Sequence, residues 1–168
     1  RLERLEGMIA IDGDDPDPVR RLAAATSANQ AGIHALADRL RMSNAERERL
    51  VATVAHAGEV SAGLDARGRR QLLYKLGAQT FTDLSYLGWA QDLNQKRAWR
   101  RHLRAATDWA PPTLPVRGAD VLALGVPHGP EVGQMLEGVE RWWVGGDFKP
   151  NREKCLRKLH RAVRATMI

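Results

Sequence analysis

The residues that could do covalent chemistry do not stand at spacings that make a reactive site. The five histidines, His34, His56, His102, His128 and His160, share no metal-ligand spacing, and the single cysteine, Cys155, builds neither a zinc ribbon nor an internal disulfide. Asp12-Gly13-Asp14 imitates a paired-carboxylate metal site. Such sites need several convergent oxygens, and this pair sits in an acidic loop ahead of Pro16 with no sheet to hold it. No nucleophile stands beside a base in a triad-like pattern. Positive charge is what the sequence supplies instead. Lys96, Arg97, Arg100, Arg101 and Arg104 form one group. Lys149, Arg152, Lys154, Arg157, Lys158, Arg161 and Arg164 form a second, opposed only by Glu153. Arg157, Arg161 and Arg164 follow i, i+4, i+7 spacing and share a helix face, with Lys154 and Lys158 beside them. Each group is suited to phosphate contacts of strongly salt-dependent affinity, and the bland alternative for either alone is a solvated face.

A third feature lies between the two groups. In Gly118-Ala119-Asp120 through Gly133-Gln134-Met135-Leu136, a short helix from about Ala119 to Leu124 is predicted to close on Gly125, which takes the left-handed conformation freely. Pro127 stops continuation, and Gly129-Pro130 restarts a helix with proline in its first position. Gly133, one turn in, is expected to let another backbone approach closely. The free amides and positive dipole end of that helix, left uncovered at Gly129, favour a phosphate oxygen, although Glu131 in the first turn opposes one. This is helix-hairpin-helix logic, in which nucleic-acid backbone is held without base reading. The candidate phosphate-contacting set is therefore Arg97, Arg100, Arg101, Arg104, Arg117, Gly129, Pro130, Lys154, Arg157, Lys158, Arg161 and Arg164. Trp142 and Trp143 are adjacent and must face different ways, so one belongs to the core while the other is partly exposed and able to stack a base. His128 reads as an exposed turn residue and Cys155 as an inert one.

The elements that must position these residues read as helices throughout. Asp17-Pro18 starts a helix to about Ala25, and Gln30 to Arg41 carries Ile33, Leu36, Ala37 and Leu40 on one face. Ser43-Asn44-Ala45-Glu46 is a capping box opening a helix to about Ala57. Asp65 caps the next, whose Leu72, Leu73 and Leu76 stripe ends at Gly77. Helices over about Gln79–Asp92 and Asn94–Thr107 follow. Trp89, Trp99 and Trp109 serve as packing anchors. Pro111, Pro112 and Pro115 cannot lie inside a helix. The expected architecture is all-α: a helical body over 1–108, a Pro-rich connector over 109–115, and a small helical tail over 116–168 with the hairpin turn. Val132, Met135, Leu136 and Val139 form the tail's first buried stripe, and Leu156, Leu159 and Val163 the second.

With 43% hydrophobic residues in 168, the chain can bury a real core. No apolar run approaches the ~20 residues of a membrane span, and no leader-like segment opens it, so the expected partner is not a membrane. One cysteine fits a reducing cytoplasm. The net charge of +6 is unevenly spread: residues 1–64 hold 8 Lys/Arg against 10 Asp/Glu, and residues 65–168 hold 18 against 10. That asymmetry points to a polyanion partner for the second part. The first residue is Arg1 rather than Met, which reads as a chain beginning inside a longer protein.

The stretch Arg117-Gly118-Ala119-Asp120-Val121-Leu122-Ala123-Leu124-Gly125-Val126-Pro127-His128-Gly129-Pro130-Glu131-Val132-Gly133, continuing through Glu140-Arg141-Trp142-Trp143 to Asp147-Phe148, resembles the C-terminal region of bacterial CCA tRNA nucleotidyltransferases of the poly(A) polymerase-like class. Gly118, Asp120, Gly125, Gly129, Pro130, Val132 and Gly133 carry the likeness, while Asp147 stands before Phe148 where that family commonly has glycine. Asp17-Pro18-Val19-Arg20-Arg21-Leu22-Ala23-Ala24, Arg39-Leu40-Arg41-Met42-Ser43 and Leu73-Tyr74-Lys75-Leu76-Gly77 are similar to the opening and middle of the family's body region.

The resemblance implies a non-catalytic body and tail that hold the acceptor stem and T arm of tRNA. It places the metal-binding aspartates, Mg2+ and CTP or ATP in a catalytic head elsewhere in the same parent polypeptide, so no cofactor is expected in this chain. Asp12-Gly13-Asp14 also lacks the Gly-Ser that precedes the family's metal site. Two other classes are open on the residues alone: a helical module whose basic face meets an acidic protein, and a DNA-binding helix-hairpin-helix protein, neither with an enzymatic parent. An independent enzyme fits least.

Overall fold

Three helices begin where a short polar side chain takes up an otherwise free backbone amide. In the computed structural model, Asp17 accepts from the Arg20 N–H at 2.9 Å ahead of helix α2 (Pro18–Ala25). Ser43 and Glu46 form the reciprocal capping box that opens α4 (Asn44–Ala55). Asp65 accepts from the Gly68 N–H at 2.7 Å ahead of α5 (Ala66–Trp89). Before and between these lie α1 (Leu2–Asp12) and α3 (Gln30–Arg39). A 3₁₀ turn, Leu93–Gln95, leads into α6 (Lys96–Thr107), and α7 (Gly118–Leu122), α8 (Pro130–Gly145) and α9 (Arg152–Thr166) follow. The structure describes residues 1–12, 16–26 and 30–166, and among them the fold is all-helical. Asp12-Gly13-Asp14 falls outside this set, as Gly13, Asp14 and the Asp12 side chain are not among the described groups. No helix among the described residues is long and apolar enough to cross a membrane.

The chain divides into two compact units, Arg1–Ala110 and Pro111–Ile168. Pro111 to Pro115 thus belong to the second unit, whereas Trp109, assigned to the connector on sequence, packs half-buried against the core of the first. That first core gathers Leu5, Met8 and Ile9 of α1, Ile33 of α3, Leu50 of α4, Phe81, Leu84 and Leu87 of α5, and Trp99 of α6. The stripe predicted for α3 needs one correction: Ile33 and Ala37 are buried, but Leu40 is 54% exposed. The helix ends at Arg39, and with Arg41 at φ 52 the chain has already turned away from the α3 face.

α5 is bent where the sequence breaks it. Gly77 (φ 76, ψ 160) lies outside helical geometry, so the predicted helix up to Leu76 and the one after it run on as a single kinked element. The second half of α5 packs along α6 so closely that a methyl group at Gly88 would overlap the buried Trp99 ring. Trp99 has no room to retreat, because its indole N–H donates to the Asp92 carbonyl at 3.1 Å.

A buried ionic cluster joins three helices of this unit. Asp83 of α5 is fully buried and takes charge from two directions. Arg20 Nε of α2 donates to Oδ1 at 3.0 Å, and Arg49 of α4 donates through Nε to Oδ2 at 2.7 Å and through Nη2 to Oδ1 at 2.8 Å. Arg49 Nη2 also reaches Asp17 Oδ2 at 2.8 Å. The second face of the Arg20 guanidinium lies 4.2 Å from the Tyr86 ring centroid. Hydrogen bonds to Asp83, and then to Asp17, outweigh burial and hold the Arg49 guanidinium well above its ordinary value. Burial pushes the Asp17 carboxyl up, but the Arg20 amide and the Arg49 guanidinium outweigh it and hold it below the usual carboxylate range.

Two substitutions test these contacts by urea unfolding. Asp83→Ala leaves the buried Arg20 without its carboxylate and is expected to cost about 3–5 kcal/mol, against less than ~1 kcal/mol for Lys75→Ala, which breaks only the exposed pair with Glu59. Gly88→Ala is expected to cost about 1–3 kcal/mol by overpacking against Trp99; an unchanged urea midpoint would contradict the close packing.

Candidate nucleic-acid interface

α6 sorts its residues by face. Trp99, His102 and Ala106 are buried and Leu103 partly so, while Lys96, Arg97, Arg100, Arg101 and Arg104 are all exposed. At about 100° per residue, Arg97, Arg100, Arg101 and Arg104 span an arc of roughly 100° directly opposite the buried side. Four of the sequence-predicted cations therefore form one solvent-facing surface. Arg100 and Arg104 also edge a groove of about 380 Å³ with Tyr86, Leu103, Thr107 and Asp108.

His102 anchors that surface from beneath. Its Nε2 lies 3.0 Å from the Ser61 carbonyl and its Nδ1 3.3 Å from Arg69 Nη1 of α5. A carbonyl only accepts and a guanidinium only donates, so the ring must be neutral with its proton on Nε2. Its ring also stands edge-on to Phe81 and Trp99, with centroids at 6.0 and 5.6 Å. Burial, the largest cause, together with the nearby charges of Arg69 and Arg101, pushes the imidazole below its ordinary value despite the Ser61 hydrogen bond. Arg69 was not in the predicted set. It is half-buried on α5, and the charge of Arg101 bears on it too.

A group with its folded pKa depressed holds fewer protons in the folded state. His102 therefore adds stability above its ordinary pKa of 6.5, and that stability is lost as pH falls below it. Unfolding measured between about pH 7 and about pH 5 is expected to show this slope in the native chain and a flatter one in His102→Gln.

The second unit uses its cations in two ways. Arg152 is committed internally: it donates to the Pro115 carbonyl at 2.6 Å and to Asp120 Oδ1 at 2.5 Å and Oδ2 at 3.2 Å. Asp120 also accepts from the Arg117 N–H at 2.7 Å. The Arg152 guanidinium, and then that amide, hold the Asp120 carboxyl below the usual range. The Gly-x-Asp of the sequence is thus a clamp between the starts of α7 and α9, and Arg152 leaves the free basic group. Arg117 and Arg152 line a cleft of about 530 Å³ with Thr113, Leu114, Pro115 and Ala119.

The other cations of α9 stand on its outer face, with Cys155, Leu159 and Val163 buried opposite. Lys154, Arg157, Lys158 and Arg161 repeat the i, i+3, i+4, i+7 spacing of the α6 arginines and line a groove of about 270 Å³ with Trp142 of α8. Arg157 pairs with Glu153 one turn away. Both partners are exposed, and such a pair is worth under ~1 kcal/mol, so it opens easily to another anion. Arg164 is exposed and does not line the groove. Trp143 is buried, donates to the Pro150 carbonyl at 3.0 Å and meets Phe148 edge-on at 5.0 Å, whereas Trp142 is 38% exposed. Burial raises the Cys155 thiol above its ordinary value, which keeps it protonated and unreactive.

The hairpin differs in detail from expectation. Its first helix spans Gly118–Leu122, shorter at its C-terminus than predicted, and Gly125 adopts φ 85 as required. Gly129 is extended, at φ 164, ahead of Pro130. His128, Gly129, Pro130 and Glu131 are all exposed. Gly133 does not receive a neighbouring backbone: a Cβ there would meet nothing within 4 Å, because this turn of α8 faces solvent. At the far end of α8, Asp147 and Phe148 take positive φ values of 58 and 61. Asp147, where the resembled pattern commonly has glycine, thus adopts the left-handed conformation that glycine takes most readily. Comparison of the sequence with protein-family models and with curated proteins gives no match.

Proposed function

We propose that this chain is a non-catalytic tRNA-binding segment, equivalent to the body and tail of a tRNA nucleotidyltransferase, holding tRNA for 3′-terminal nucleotide addition by a catalytic head. The observation that carries the reading is the pair of cationic helix faces, Arg97–Arg104 on α6 and Lys154–Arg161 on α9. Each presents four basic side chains at i, i+3, i+4, i+7 spacing with an apolar face buried behind it. Such faces bind phosphate backbone with little sequence preference, which suits a protein that must accept many tRNAs alike. The motif around Gly118, Asp120, Gly125 and Pro130 supports the tRNA part of the reading through the family it resembles. The exposed start of α8 adds the Glu131 amide, the Val132 N–H being taken by the Gly129 carbonyl at 3.2 Å, and the Glu131 carboxylate itself opposes an anion there.

The test is a titration of unmodified tRNA at several salt concentrations. The native chain is expected to bind with a steep log–log salt dependence. Arg157→Ala with Arg161→Ala is expected to flatten the slope by about 1.5 and to weaken binding roughly tenfold, since each lost phosphate contact contributes about 0.7–0.9 to the slope. Arg97→Ala with Arg101→Ala should act in the same direction. Undiminished binding by the α9 double variant, or duplex DNA competing as well as tRNA, would overturn the reading.

A further inference from the structure

We infer that Trp142 and the α9 cations form a binding site for a single unstacked nucleotide, its base on the indole and its flanking phosphates on Lys154, Lys158 and Arg161. The inference rests on the reading of the chain as RNA-binding and names the part of the RNA that this groove takes.

Trp142 is one of three large apolar side chains left exposed among the described residues, and it lines a groove with Lys154, Arg157, Lys158 and Arg161. Lys158 Nζ sits 5.9 Å from its ring centroid, which sets the indole beside the cations of α9. Lys154 and Arg161 line the same groove and have no carboxylate partner among the described residues, and Arg157 can leave Glu153 at little cost. The groove, at about 270 Å³, is below the usual range for a small-molecule pocket (about 300–1,000 Å³) and has room for one base, not an extended ligand.

The chemistry selects the occupant. An acidic peptide would satisfy the cations and leave the indole face unused. A duplex would offer phosphates, but its bases are stacked on one another and present only their edges. An unstacked nucleotide offers a π face and adjacent anions together. Stacking of a base on an aromatic side chain is worth about 5- to 150-fold in affinity, whereas an exposed ammonium–indole contact is worth about 2- to 5-fold. A base therefore displaces Lys158 from the ring, and the released ammonium is already beside the incoming phosphate.

The test uses the full chain and two fluorescent probes: a single-stranded RNA of about ten nucleotides, within the usual site size, and a blunt duplex of the same sequence. Trp142→Ala is expected to weaken single-strand binding by about 5- to 150-fold and to change duplex binding by less than about twofold, with Trp142→Phe retaining most of the affinity. Trp142→Leu keeps apolar bulk without the π face and should behave like Trp142→Ala; native affinity in this variant would overturn the proposal. Equal losses on both probes, or none, would overturn it as well. If tRNA binding depends on Arg157 and Arg161 but not on Trp142, this site is wrong and the tRNA reading stands. If the single-strand probe depends on Trp142 while intact tRNA is not preferred, this site stands and the tRNA reading fails.

Discussion

The first unit depends on one buried carboxylate. Asp83 has no access to water, so the cost of ionising it inside the protein must be met by charge brought to it. Arg20 and Arg49 do this from two other helices, and Asp17 accepts from Arg49 Nη2, which also donates to Asp83. The four charges cancel, and removal of Asp83 would leave the buried Arg20 without its carboxylate. Apolar packing tolerates small rotations of a helix, whereas these hydrogen bonds do not. The cluster therefore fixes the rotation of α2, α4 and α5, and the packing of α6 along α5 then fixes which way the arginines of α6 face.

The same logic orients the basic surfaces. Neither α6 nor α9 has a helix interior that demands arginine; what they share is an apolar face that must be buried, with Trp99 and His102 on one helix and Cys155, Leu159 and Val163 on the other. Burying that face turns the opposite arc to solvent. Because the cations occupy that arc at i, i+3, i+4, i+7 spacing, packing alone converts a charged sequence into a charged surface. Small internal devices complete the arrangement: neutral His102 between Ser61 and Arg69 under α6, and the Arg152–Asp120–Arg117 clamp that ties the start of α9 to α7.

Much of this was legible in the residues, because its causes are local. Ser43 and Glu46 cap a helix three residues apart, Gly125 permits a left-handed turn, and proline at the first position of α8 suits the start of a helix. The α6 and α9 cations could be placed on faces from the 3.6-residue period. Other features gave a weaker signal. Asp83 among Phe81, Leu84 and Leu87, and Arg20 beside Val19, Ala23 and Ala24, are charges set in apolar neighbourhoods, which marks a buried ion pair but not its partner. The exposure of Leu40 and the open surroundings of Gly133 followed from where a helix ended or faced, which periodicity does not report.

By itself, the sequence determined the all-helical class, the caps and breaks, the hairpin and the alignment of like charges along two helices, since each depends on residues within about one turn of one another. Only the tertiary structure decided which of those charges are spent inside the protein and which remain for a partner. Arg20 meets Asp83 across 63 residues, Arg49 meets it across 34, and Arg152 meets Asp120 across 32. A guanidinium reads the same in sequence whether it faces water or a buried carboxylate. Its partner is chosen only when helices distant in the chain are brought together, and that choice separates Arg152, which holds the tail's clamp, from Lys154, Lys158 and Arg161, which surround Trp142.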